Sequence, residues 1–189
     1  MAAVSEQAET TTTELAALTV ATRDDMHGLG RRLATVLGPG DLVVLTGDLG
    51  AGKTTFTQGI GDGLGVRGPV TSPTFVIARV HPSQTGGAPL VHVDAYRLGT
   101  IAEVDDLDLD ASLDESVTVV EWGDGLVDDL ATDRLHVAIE RPHGDDDRPG
   151  PGEDGDPDDD RDDGADHDEP RQVRITGIGP RWADVELGS

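Results

Sequence analysis

A chain of 189 residues is long enough for one domain with a buried core. Its lack of cysteine excludes disulfides and thiolate metal sites, and a reducing cytoplasm is the expected compartment. A formal net charge of −24 with no basic stripe argues against direct nucleic-acid binding, and no run approaches the roughly 20 apolar residues of a membrane span.

Residues 1–14 are polar and Thr-rich, which predicts a disordered extension and not a secretory signal. A core is expected over 15–142, opening with a weakly alternating strand from Leu15 to Ala21. Thr22 and Asp25 then resemble a capping box, and Met26, Leu29, Leu33, Val36 and Leu37 fall on one helical face. Gly38-Pro39-Gly40-Asp41 turns the chain into Leu42–Leu45, an apolar run suited to a strand buried on both faces. After a glycine-rich turn, a second helix carries Phe56, Ile60 and Leu64 inward, with Gly65 as its C-cap.

Thr74 to His81 reads as a strand. Leu90–Val93 and Val117–Val120 are two apolar strands, each ending on a carboxylate, Asp94 and Glu121. Between these two strands, Ile101 to Leu113 predicts a short helix and loop. Leu135–Ile139 and Val173–Ile178 form a last strand pair around 143–170, which holds fourteen acidic residues against two arginines, a net of −12. That composition predicts a disordered acidic insertion, with 171–189 completing the core. Strands alternating with helices indicate an α/β fold with a largely parallel sheet flanked by helices.

Gly47-Asp48-Leu49-Gly50-Ala51-Gly52-Lys53-Thr54 satisfies G-x-x-x-x-G-K-[ST], with an apolar strand before it and a helix after it. Phosphates need backbone N–H groups aimed inward at a helix N-terminus, and glycines let the backbone curl that closely. Lys53 is then expected to neutralise the β- and γ-phosphates and Thr54 to ligate Mg²⁺. Lys53 is also the single lysine beside thirteen arginines, kept where a compact ammonium is needed.

A second requirement is a carboxylate at the end of a strand near the P-loop. Asp94 and Glu121 both qualify. One would hold the metal and the other would orient or deprotonate water, and spacing does not assign them. Thr71-Ser72-Pro73-Thr74 reads most simply as a polar turn. Tyr96 and Trp122 follow the two acids closely, and Trp122 is a candidate wall for the γ-phosphate, although packing is the commoner role. His92 is expected in the core or behind the ligands. The chain contains no asparagine, so a guanine-reading Asn-Lys-x-Asp loop is excluded and ATP is the expected nucleotide.

Together, residues 47–55, Ser72-Pro73-Thr74-Phe75, His92-Val93-Asp94-Ala95-Tyr96-Arg97-Leu98 and Val120-Glu121-Trp122 resemble the TsaE family, the ATPase of bacterial tRNA threonylcarbamoyladenosine biosynthesis. The resemblance covers most of Leu15–Ile139 and implies a compact P-loop fold. It also implies ATP and Mg²⁺ as cofactors, TsaD-like transferase and TsaB-like partners, and contact with tRNA only through the complex. By similarity, residues 47–55 hold phosphate, Thr54 and Glu121 lie on the metal side, and Asp94 is needed for hydrolysis. Ser72–Phe75, including Thr74, becomes a switch-like loop, and Trp122 becomes an active-site wall. Arg23 and Arg171 fall where the family contacts the nucleotide.

Two other readings fit a P-loop: a small-molecule kinase, whose lid arginines would have to come from Arg134 and Arg141, and a nucleotide-regulated module without catalysis.

Overall fold

A computed structural model of the chain describes residues 11–73, 77–97, 109–141 and 169–188. Seven strands form one sheet among these residues: β1 (Thr12–Val20), β2 (Leu42–Thr46), β3 (Ala78–His81), β4 (Leu90–Asp94), β5 (Val117–Glu121), β6 (Arg134–Glu140) and β7 (Arg171–Ile178). Their order is β1-β7-β6-β2-β5-β4-β3. The α/β expectation holds. Parallel pairing is confined to the central strands β6, β2, β5 and β4, and the outer pairs β1–β7, β6–β7 and β3–β4 are antiparallel.

β2 lies between β5 and β6, so both of its faces must be covered. Val43 and Leu45 join the core beneath the long helices, whereas Leu42 and Val44 face a second cluster containing Leu109, Leu113 and Val127. This explains why the sequence shows a continuous apolar run there instead of alternation.

Helix α1 (Arg23–Ala34) starts at Thr22, whose hydroxyl accepts from the Asp25 amide at 3.1 Å while the Asp25 carboxylate accepts from the Thr22 amide at 3.2 Å. The capping box therefore forms as expected. Helix α2 (Lys53–Leu64) ends on Gly65 in the left-handed conformation, φ 65°. The two helices approach through Gly30 and Gly59. A Cβ on Gly59 would lie 2.1 Å from the His27 carbonyl oxygen, and one on Gly30 would lie 2.2 Å from that of Phe56. This contact seats the start of α1 beside the start of α2, with Met26 against Gly52.

Several boundaries differ from the sequence expectation. β1 begins at Thr12, inside the residues assigned to the polar extension, because Thr12 and Thr13 pair with Ile178 and Gly177. Helix α1 stops at Ala34, and Val36 and Leu37 pack against the core from beyond it. Helix α3 (Asp110–Leu113) is the described part of the element expected over Ile101–Leu113. Residues 1–10, 74–76, 98–108, 142–168 and 189 lie outside the described residues, and with them most of the acidic insertion and the Thr74 and Phe75 positions of the switch-like loop. No helix among the described residues is long and apolar enough to cross a membrane.

Candidate functional site

The carboxyl ends of β2, β4 and β5 meet the N-terminus of α2 around a cavity of roughly 370 Å³. Open parallel sheets place ligand sites at this edge. Between β2 and α2 the chain turns through Gly47 (φ 139°) and Gly52 (φ 111°), conformations that L side chains rarely adopt. Gly47 is doubly constrained, since a Cβ there would lie 2.2 Å from the Ile139 carbonyl oxygen.

Leu49, Gly50, Ala51, Gly52, Lys53, Thr54 and Thr55 line the cavity. Gly47 and Asp48 serve it from behind: their carbonyls accept from Lys53 Nζ at 2.7 and 2.9 Å. Lys53 is only 5 % exposed. Burial pushes its ammonium below the ordinary value, opposed by the nearby carboxylates of Glu121, Asp94 and Asp48. Its Nζ also sits 3.8 Å from the centre of the Trp122 ring, a cation–π contact.

Asp94 and Glu121 are register partners on β4 and β5, so the pleat brings both strand-end acids to the same level, and both line the cavity. Glu121 is buried at 3 % exposure. Its Oε1 accepts from Thr54 Oγ1 at 3.0 Å and lies 2.8 Å from His92 Nε2, while Oε2 is 3.4 Å from Thr54 Oγ1. Asp94 is more open. One of its oxygens accepts from the Tyr96 amide at 3.1 Å and the other from Ser72 Oγ at 3.4 Å.

Trp122 has φ 62°, the one positive value outside glycine among the described residues. For a bulky side chain this is a strained backbone state, held here by its amide donating to the Leu45 carbonyl at 3.0 Å. The strain aims the indole at Lys53. Tyr96 packs against the same ring at a tilt of 59°, centroids 5.2 Å apart.

The structure therefore brings together Lys53, Thr54, Asp94, Glu121 and Trp122, and it places both Arg23 and Arg171 on the cavity wall. Thr74 cannot be placed because it lies outside the described residues. Sequence reasoning missed Thr22 and Met26 as lining residues, having read them only as cap and core. Glu169 was absorbed into the acidic tract, yet it lines the cavity and pairs with Arg171 at 3.5 Å. Arg141, weighed only as a lid residue, donates to the Gly50 carbonyl at 3.2 Å. That contact depends on β6 lying beside β2, for which the sequence carries no local signal.

A glycine loop at a helix N-terminus is chemically suited to phosphate, and a hydroxyl with two carboxylates forms the hard oxygen set suited to Mg²⁺. Among the described residues a second acidic group, Asp124, Asp128 and His136, lies apart from this cavity and is ion-paired with Arg134 through Asp128.

The family model described as "Threonylcarbamoyl adenosine biosynthesis protein TsaE" matches residues 20–149. The tRNA threonylcarbamoyladenosine biosynthesis protein TsaE of Streptomyces coelicolor is 56% identical over 163 residues, covering 86% of this chain and 97% of that protein. The protein of the same name in Bacillus subtilis is 40% identical over 126 residues, 66% of this chain and 77% of its own. The crystal structure of Bacillus subtilis YdiB superposes with a TM-score of 0.60 at 26% identity, covering 92% of this chain and 90% of that one. A sheet that gathers a glycine loop and two strand-end acids, matched in sequence over most of its length, leaves one assignment: the chain belongs to the TsaE family.

Proposed function

We propose that this protein is a Mg²⁺-dependent ATPase that serves, in the cytoplasm, as an accessory to the complex adding threonylcarbamoyl to the adenosine beside the tRNA anticodon. The observation that carries the reading is the convergence of Lys53, Thr54, Glu121 and Asp94 on one cavity behind the glycine loop. The names of the similar proteins support the pathway. TsaD-like and TsaB-like proteins are the partners, and tRNA is met only through them, consistent with a net charge of −24.

In this mechanism the loop amides from Leu49 to Thr55 and the start of α2 receive the phosphates, and Lys53 turns from the Gly47 and Asp48 carbonyls toward them. Bound Mg²⁺ would be held by Thr54 and Glu121 and would supply charge neutralisation at the phosphoryl oxygens. Asp94, the more accessible acid, orients the attacking water and accepts its proton. Trp122 closes the wall against Lys53 and excludes bulk water. Arg23 and Arg171 hold the nucleotide from the α1 and β7 sides.

Depletion of the protein in cells tests the pathway. Threonylcarbamoyladenosine is expected to disappear from tRNA and to return with wild type but not with Lys53→Ala. Normal modification after verified depletion would overturn the assignment. Purified protein should turn over ATP slowly alone and faster with its partners.

A further inference from the structure

Resting on the ATPase reading, we infer that His92 is a positioning residue that sets which oxygen of Glu121 is offered to the metal. The imidazole is fully buried, at 0 % exposure, in the middle of β4, and Glu121 stands at the end of the neighbouring strand β5. A histidine so deep in the sheet needs a partner for each polar nitrogen or loses stability. His92 has one: Nε2 lies 2.8 Å from Glu121 Oε1. Its Nδ1 has no hydrogen-bond partner among the described residues.

This asymmetry selects the tautomer. A proton on Nδ1 would be buried without an acceptor, whereas a proton on Nε2 is received by a carboxylate. Nε2–H therefore donates to Glu121. Thr54 Oγ1 donates to the same Oε1 at 3.0 Å. Two donors thus converge on Oε1, and Oε2 keeps only the longer 3.4 Å contact with Thr54.

The consequence is a division of labour within one carboxylate. Oε1 is anchored from the core by His92, and Oε2, which His92 does not engage, is the oxygen left to meet the metal. When Thr54 gives up its hydrogen bond to ligate a metal, the His92 bond remains to fix the carboxylate plane. Donors of this kind behind a metal-binding carboxylate orient it, and their loss typically weakens metal affinity by roughly 10- to 100-fold. His92 does not line the cavity, so it acts through Glu121 and is not itself a catalytic residue.

The experiment compares full-length wild type with His92→Leu, which lacks a donor, and His92→Gln, whose amide can still donate to Glu121. Nucleotide affinity is measured in EDTA, and Mn²⁺ affinity of the complex with a non-hydrolysable ATP analogue is read by electron paramagnetic resonance. Both variants are expected to bind nucleotide without metal as wild type does. Mn²⁺ affinity is expected to fall about tenfold or more in His92→Leu and to recover largely in His92→Gln. Imidazole ¹⁵N shifts of the wild type, assigned by difference from His92→Gln, should show hydrogen on Nε2 and none on Nδ1. This readout holds even if His92→Leu does not fold.

Wild-type Mn²⁺ affinity in folded His92→Leu, equal losses in both variants, or the opposite tautomer would each overturn the inference alone. A wild type that shows no nucleotide-dependent Mn²⁺ binding would sink the ATPase reading and this inference together.

Discussion

The ends of β4 and β5 lie side by side in register, yet they are built differently. Glu121 is buried, with Thr54 and His92 both engaged on one of its oxygens. Asp94 is half-buried, held by the Tyr96 amide and by Ser72 from the loop before β3. Position in the sheet causes the difference. β5 sits next to β2 and its P-loop, covered on both faces, whereas β4 is one strand further out and next to the short edge strand β3. A carboxylate fixed by buried donors suits a metal that must bind at one geometry. A carboxylate that solvent can reach suits water activation.

Breaking the buried arm should cost most. Glu121→Gln removes the anion and, with the amide oxygen kept on the His92 Nε2–H, turns an NH2 toward the metal side, so ATP hydrolysis is expected to fall by roughly 10³-fold with loss of Mg²⁺-dependent tightening of nucleotide binding. Single-turnover hydrolysis and titration calorimetry with and without Mg²⁺ check both parts. Unchanged Mg²⁺ dependence would end the assignment of Glu121 as the metal-side acid.

Asp94→Asn should separate the two acids most sharply. Hydrolysis is expected to drop about 10²-fold while Mg²⁺–nucleotide affinity stays within about threefold of wild type. If affinity collapses as it does in Glu121→Gln, the comparison fails and both acids serve the metal. Ser72→Ala tests the support behind Asp94. Losing one hydrogen bond worth about 1 kcal/mol predicts about a fivefold fall in kcat with little change in KM.

The smallest effect is on stability and involves Lys53, which faces both acids. Its folded-state ammonium is held below the ordinary 10.5 by burial, so the unfolded chain binds the proton more tightly. That linkage contributes full stability above 10.5, and the contribution is lost as pH falls through the lowered value. The melting temperature of wild type relative to Lys53→Met should therefore rise as pH is raised from neutral toward 10. A relative fall would show that the carboxylates outweigh burial.

Much of the site was legible because its signals are local. The run from Gly47 to Thr55 encodes a turn that needs left-handed glycines, and the helix follows at once, so spacing alone carries the phosphate cradle. The Thr22–Asp25 cap and the Gly65 stop were readable for the same reason. Apolar runs ending on Asp94 and Glu121 marked two strand ends, but no spacing could say that β4 and β5 are neighbours. The close contact of Gly30 with Gly59 and the reach of Arg141 to Gly50 were invisible, since each joins segments whose proximity follows from packing.

The sequence by itself determined an α/β domain, a phosphate-binding turn, two candidate acids and the resemblance that names the family. Hydrophobic period, glycine placement and capping act over a few residues and leave a direct imprint on the chain. Only the tertiary structure decided that Glu121 is the sequestered acid and Asp94 the accessible one, that Trp122 is strained over Lys53, and that Glu169 and Arg171 reach the cavity. The physical reason is strand order: burial and hydrogen-bond partners depend on which strands become neighbours, and that choice belongs to the whole sheet.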